Sequence, residues 1–252
     1  MKPRLLEDIA YGPDPKHRLD LYLPPGDGKA KLLVFLHGGG WVRGSKEAGR
    51  RLVPTLTVQG YALASLNYRL HPTATPEAAI ADAAQGIAYL CATKPGGIDT
   101  SAFALIGHSV GGQMAALLAM DATYFTTAGI APRDLAALIA LDGLFDVSTQ
   151  LRDHPSPELS EIFGTAPARW DNLSPMHHVP SMPQHLAVQL LYGDVHKAFP
   201  KHAALFAAAL TRHGRDVEAA RLPGLAHMEL LKQFPVLAPK VLSHLKQHIL
   251  AS

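Results

Sequence analysis

From Leu19 onward, short apolar runs alternate with longer stretches in which apolar residues recur at helical spacing. LDLYLP, from Leu19 to Pro24, alternates apolar and polar positions and closes in a proline turn, which predicts a strand. KLLVFLH, from Lys31 to His37, is apolar almost throughout and stops at three glycines, the pattern of a strand buried on both faces. YALASLNYRL (61–70), SAFALIG (101–107), AALIALDG (136–143), HLAVQLLYG (185–193) and DVEAARLPG (216–224) predict further strands. Helices are expected over 46–59, over 75–93, from Gly111 onward, over 201–214, and from about Met228 to Leu250. Within the last of these, Pro235 and Pro239 can each break or kink the helix. Strands alternating with helices predict an α/β fold, a mostly parallel, doubly wound sheet with helices on both faces. In such sheets the functional residues lie at the carboxyl ends of the strands.

The length of 252 residues and the 48% apolar content suit one domain of this class, spanning 1–252. The segment from about 148 to 183, rich in turn residues, is expected to be a short insertion covering the site. Its stretch STQLRDHPSPELSEIFGTAPARW is too polar for the extended apolar face of a large lipase lid, which points to small soluble substrates. A net charge of +2 with both signs interspersed leaves no basic stripe or tail, so neither nucleic acid nor an anionic membrane is expected as a partner. Cys91 is alone, the opening MKPRLLEDIAYGPDP has no apolar core of a secretory signal, and no apolar run approaches the roughly 20 residues of a membrane span. A cytoplasmic protein is expected. The 14 histidines are scattered without HExxH or paired Cys/His spacing, so no metal and no cofactor is expected.

The chemistry is concentrated in two motifs. ALIGHSVGGQMAALLAM, from Ala104 to Met120, sets Ser109 between Gly107 and Gly111 where an apolar strand becomes a helix. That is the G-x-S-x-G arrangement, in which a sharp turn lifts a nucleophilic serine above the sheet and small neighbours relieve the crowding. HGGGW, from His37 to Trp41, follows the buried strand; its glycines let backbone amides approach an oxygen that becomes negative in a tetrahedral intermediate. Gly38 and Gly39, with Gly40 in reserve, are the expected oxyanion donors, completed by the amide of Val110 from the elbow side.

Together with LDLYLP, HGGGWVRGSK, NYRL, GHSVGG, GLFDV, LSPMHH, LLYGD and LPGLAHMEL, in that order, these motifs resemble the α/β-hydrolases of the small carboxylesterase and arylformamidase (kynurenine formamidase-like) type. The resemblance implies a triad in the order nucleophile, acid, histidine. On it, Ser109 is the nucleophile and His227, after the last strand, the general base. The family places the acid a few residues beyond the glycine ending the next-to-last strand, but the residue three beyond Gly193 is His196. Asp194, directly after Gly193, is the favoured acid, and Asp142 and Asp146 after the preceding strand are the alternatives. On this expectation Asp194→Asn lowers turnover by orders of magnitude and Asp142→Asn does not; the reverse ranking moves the acid to the earlier strand. Trp41, Leu144 and Phe145 are candidate pocket walls, with Trp170 and Phe199 behind them. Asn67, Tyr68, Arg69 and Asp82 are expected to support the site without doing chemistry.

The resulting expectation is a metal-independent serine hydrolase of short-chain esters acting through an acyl-enzyme. The alternatives are an arylformamidase and a catalytically silent scaffold that binds a small ligand. Dimer formation through an edge strand or a late helix is left open.

Overall fold

The computed structural model describes residues 2–26 and 28–250. Its strands are β1 (Arg4–Ala10), β2 (Arg18–Leu23), β3 (Lys31–Leu36), β4 (Ala62–Leu66), β5 (Asp99–His108), β6 (Leu135–Leu141), β7 (Ala187–Gly193) and β8 (Val217–Leu222). They form one sheet in the order β1-β2-β4-β3-β5-β6-β7-β8. β2 runs antiparallel to both β1 and β4, and every other neighbouring pair is parallel. This is the mostly parallel, doubly wound sheet expected. Side chains alternate faces along each strand: Leu32, Val34 and Leu36 of β3 join one core, Leu33 and Phe35 the other.

The helices cover both faces. In chain order they are α1 (Val53–Leu56), α2 (Pro76–Thr93), α3 (Val110–Met120), α4 (Ala122–Thr127), α5 (Val147–Asp153), α6 (Pro157–Phe163), α7 (Pro167–Asn172), α8 (Ala198–Arg212), α9 (Glu229–Lys232) and α10 (Phe234–Leu245). α2, α3 and α8 pack with Leu32, Val34 and Leu36, whereas α1, α9 and α10 pack with Leu33 and Phe35. α2 shows how the sequence sets its limits. The Thr75 hydroxyl accepts from the Ala78 amide, Pro76 opens the first turn, and Lys94 closes it in a left-handed conformation.

Three predicted helices differ in detail. The stretch 46–59 is a 3-10 turn, α1 and a second 3-10 turn, because Pro54 interrupts it and Gly49 packs too close to β4 for regular winding; a Cβ there would lie 2.4 Å from Ser65 Oγ. The helix from Gly111 stops at Met120, where Asp121 accepts from the Thr123 amide and starts α4. The closing helix is divided into α9, α10 and a terminal π turn, with the break just before Pro235. β1 has no counterpart among the predicted strands: it lies at the sheet edge, largely exposed, so RLLEDIA carries no clean alternation.

The segment 148–183 folds as α5, α6, α7 and a 3-10 run, Pro175–Ser181. It is tied down at several points. Gln113 Nε2 of α3 donates to the Leu173 carbonyl at 2.7 Å, and Arg169 reaches both oxygens of Glu77 on α2 at 2.7 and 2.9 Å. Among the described residues, no helix is long and apolar enough to cross a membrane.

Candidate active site

Ser109 stands between the end of β5 and the start of α3 with φ 58° and ψ −124°. For a residue with a Cβ this is a strained backbone, of the kind that costs about 1–3 kcal/mol and persists only where its surroundings enforce it. The enforcement is visible. The Ser109 amide donates to the Leu141 carbonyl of β6 at 2.9 Å, and its own carbonyl accepts from Gly112 and Gln113 at 2.9 and 3.2 Å as the first turn of α3. The flanking glycines are required by close approach: a Cβ on Gly107 would lie 2.2 Å from the Gly111 carbonyl oxygen, and one on Gly111 would lie 2.1 Å from that of Leu36.

His227 lies in the loop after β8. Its Nδ1 donates to Asp142 Oδ2 at 2.9 Å, so its Nε2 is left with a free lone pair. The ring is held between two others: His108 stacks at 4.4 Å between centroids and Phe199 at 4.1 Å, the latter nearly parallel to it. His108 Nε2 also donates to the His227 carbonyl at 3.0 Å. Burial, and secondarily the neighbouring His227, hold the His108 pKa down to about 3, so this ring is a neutral brace.

Asp142, rather than the favoured Asp194, is the carboxylate that meets His227. Asp142 follows the last residue of β6, is buried, and adopts φ 48°. Its second oxygen accepts from the Gly193 amide at 2.9 Å, and its own amide donates to Leu191, so neighbouring β7 fixes the carboxylate. Asp194 is turned elsewhere. Its Oδ2 accepts from Arg221 Nε and Nη2 at 2.9 and 2.6 Å, and its Oδ1 from the Gly224 amide at 2.7 Å. The Arg221 hydrogen bonds, reinforced by the Gly224 amide, hold its pKa below the usual carboxylate value. Asp146 caps α5, accepting from the Thr149 amide. Asp142 lies at the end of the strand neighbouring the elbow, and the residue three beyond Gly193 is His196, not an acid.

The glycine loop is wound tightly beside Ser109. A Cβ on Gly38 would come within 2.9 Å of Ser109 Cβ, so Gly38 supplies close approach. The Gly38 carbonyl accepts from His37 Nδ1 at 2.8 Å, and the Gly39 carbonyl accepts from Val42 and Arg43 at 3.3 and 3.1 Å. Because N–H and C=O point oppositely across a trans peptide, the amides of Gly39 and Gly40 lie on the side of the loop away from those contacts. Tyr68 braces the loop from below, donating to the His37 carbonyl at 2.6 Å and stacking on the His37 ring at 4.3 Å. Arg69 and Asp82 form a two-point ion pair, at 2.8 and 2.6 Å, away from the chemistry. Asn67 Oδ1 accepts from the Lys46 amide at 2.7 Å.

A pocket of about 670 Å³ opens beside Ser109 and Val110. Trp41, Leu144, Leu159, Phe163 and Phe199 make its apolar wall. Of the expected walls, Phe145 is not part of it. Its ring is buried and stacks on Phe206 at 4.3 Å in the core. Trp170 likewise turns away, donating from Nε1 to the Gly164 carbonyl at 3.0 Å. Among the described residues, no cluster of histidine, cysteine or carboxylate side chains has the arrangement to hold a metal ion.

The model of the BD-FAE family matches residues 19–200. A probable isoprenylcysteine alpha-carbonyl methylesterase of Arabidopsis thaliana is 40% identical over 105 residues, covering 41% of this chain and 25% of the relative. A kynurenine formamidase of Danio rerio is 24% identical over 155 residues, covering 61% of this chain and 51% of the relative. The matched region therefore spans from a quarter to half of the length of these curated relatives. The crystal structure of esterase B from Lactobacillus rhamnosis superimposes with a TM-score of 0.77 at 20% identity, covering 95% of this chain and 87% of that one, a likeness of fold.

Proposed function

This chain belongs to the BD-FAE family, and from that membership and the site geometry we propose that it is a serine hydrolase of short-chain carboxylic esters. The observation that carries the reading is His227, bound through Nδ1 to the buried Asp142 and stacked on the residue preceding a strained Ser109. In this account Ser109 Oγ attacks the ester carbonyl while His227 Nε2 takes its proton. The amides of Gly39, Gly40 and Val110 stabilise the oxyanion, and Gly38 lets the loop approach. His227 then returns the proton to the departing alcohol, leaving an acyl group on Ser109. Water, deprotonated by His227, attacks that acyl group and releases the acid. Asp142 holds the imidazole in the Nδ1–H tautomer and stabilises the imidazolium. No step calls for a metal or an organic cofactor.

Substrate length follows from the covering segment. Leu159 and Phe163 of α6, with Trp41, bound the pocket, and α5 to α7 present no extended apolar face. The test is a series of 4-nitrophenyl esters from acetate to laurate, with N-formylkynurenine alongside. The specificity constant should peak between acetate and butyrate and fall for longer chains. Faster turnover of decanoate or laurate contradicts the size argument, and a formamide preferred over every ester by more than tenfold transfers the proposal to arylformamidase. A folded protein silent on all of them supports the binding scaffold.

A further inference from the structure

The pocket beside Ser109 has two unlike walls. Beside the apolar residues it is lined by His154, which follows α5, and by His196, Lys197 and Lys201 around the start of α8. Among the described residues the one carboxylate lining the pocket is Asp153, and it is consumed by an ion pair with Lys201 that joins α5 to α8. Lys197 has no carboxylate partner among the described residues. The wall therefore carries an uncompensated positive charge at neutral pH, in a molecule whose net charge of +2 is otherwise spread over both signs. Position makes this charge relevant to substrate. Lys197 is separated by one residue from Phe199, whose ring stacks on His227 at 4.1 Å. Lys197 and Ser109 line the same pocket, so a substrate whose carbonyl sits on Ser109 shares that space with the lysine.

We infer that the preferred esters of this site carry a carboxylate a few bonds from the scissile carbonyl, bound by Lys197. The inference rests on the esterase reading above and adds the substrate's charge to it. Neutral esters satisfy the apolar wall alone; an anionic ester also neutralises the basic one and is drawn to the opening by its field. His154 and His196 add to the attraction when protonated, and Asp153 stays committed to Lys201.

Two matched pairs test it. The first is the 4-nitrophenyl half-ester of glutaric acid against 4-nitrophenyl pentanoate, which places the charge on the acyl side. The second is 4-acetoxybenzoate against phenyl acetate, which places it on the alcohol side. At low salt, one anionic member should exceed its neutral partner in kcat/KM by about fivefold or more after correction for spontaneous reactivity, the scale of one partly exposed charge contact. Added salt should erode that advantage. Lys197→Gln should abolish it, lowering kcat/KM for the favoured anionic ester by about fivefold or more and for its neutral partner by much less. Equal or slower turnover of both anions by the wild type, or a preference that survives Lys197→Gln, overturns the inference while leaving the esterase reading intact. A folded wild-type protein that turns over none of the four esters overturns both.

Discussion

At Gly111 a single methyl group decides whether the elbow can form, since a Cβ there would sit 2.1 Å from the Leu36 carbonyl oxygen. Gly111→Ala should therefore cost about 1–3 kcal/mol, as overpacking does elsewhere. It should also displace Ser109, so reactivity toward a fluorophosphonate falls more than thermal stability does. An unchanged labelling rate with a lowered Tm would show that the glycine serves packing alone. The positions of Ser109, His227 and the glycine loop were legible in local sequence: a turn that only small residues permit, three glycines after a buried strand, and a histidine after the last strand. Asp142 was legible only as an alternative. The partner of His227 depends on where the loops after β6, β7 and β8 meet, and spacing along one strand end cannot express that. Phe145 was misplaced for a related reason, since an aromatic side chain after a strand suits a pocket and a core equally in sequence, and the stacking on Phe206 decides between them.

Among the elements, the loops after β7 and β8 depend on each other. Asp194 joins them by its contacts to Arg221 and the Gly224 amide, and His227 lies three residues beyond Gly224. Asp194 thus ties down the loop that carries His227, the base in the proposed mechanism. Asp194→Ala should raise proteolytic cleavage near 222–228 and lower kcat by about fivefold or less, the scale of an exposed ion pair, without changing which ester is preferred. Unaltered cleavage would show that the loop is held by other contacts, such as Gly193 closing on Leu225. At this scale the alternation of strand and helix was readable almost throughout, since both periodicities follow from burial. The exceptions are instructive: β1 is an exposed edge, and the stretch 46–59 is bent by Pro54 and by the contact of Gly49 with β4. For β1 and for Gly49 the place in the sheet, rather than local pattern, sets the outcome.

For the whole molecule, buried histidines set the response to acid. Burial, the first cause in each case, holds His37 at about 4, His108 at about 3 and His202 at about 4, against an ordinary value near 6.5. The unfolded chain therefore binds protons at these sites between about pH 6.5 and 4 that the native state refuses, so stability rises with pH across that window. Each tenfold loss of proton affinity on folding is worth about 1.4 kcal/mol, so the combined loss of stability toward acid is on the order of several kcal/mol. Tm should be highest above pH 6.5 and drop steeply toward pH 4; a flat profile would show that the three rings are not neutral in the fold. Ser109, Asp142 and His227 follow the ends of β5, β6 and β8, with His227 bound to Asp142 and stacked on His108, the residue before Ser109. The most direct test is the rate of fluorophosphonate labelling at Ser109, read by intact mass and peptide mapping in the wild type, Asp142→Asn and Asp194→Asn. The account predicts one adduct on Ser109, slowed by about two orders of magnitude or more in Asp142→Asn, with Asp194→Asn within about tenfold of wild type. Normal labelling of Asp142→Asn with loss in Asp194→Asn would contradict it and return the acid to the loop after β7.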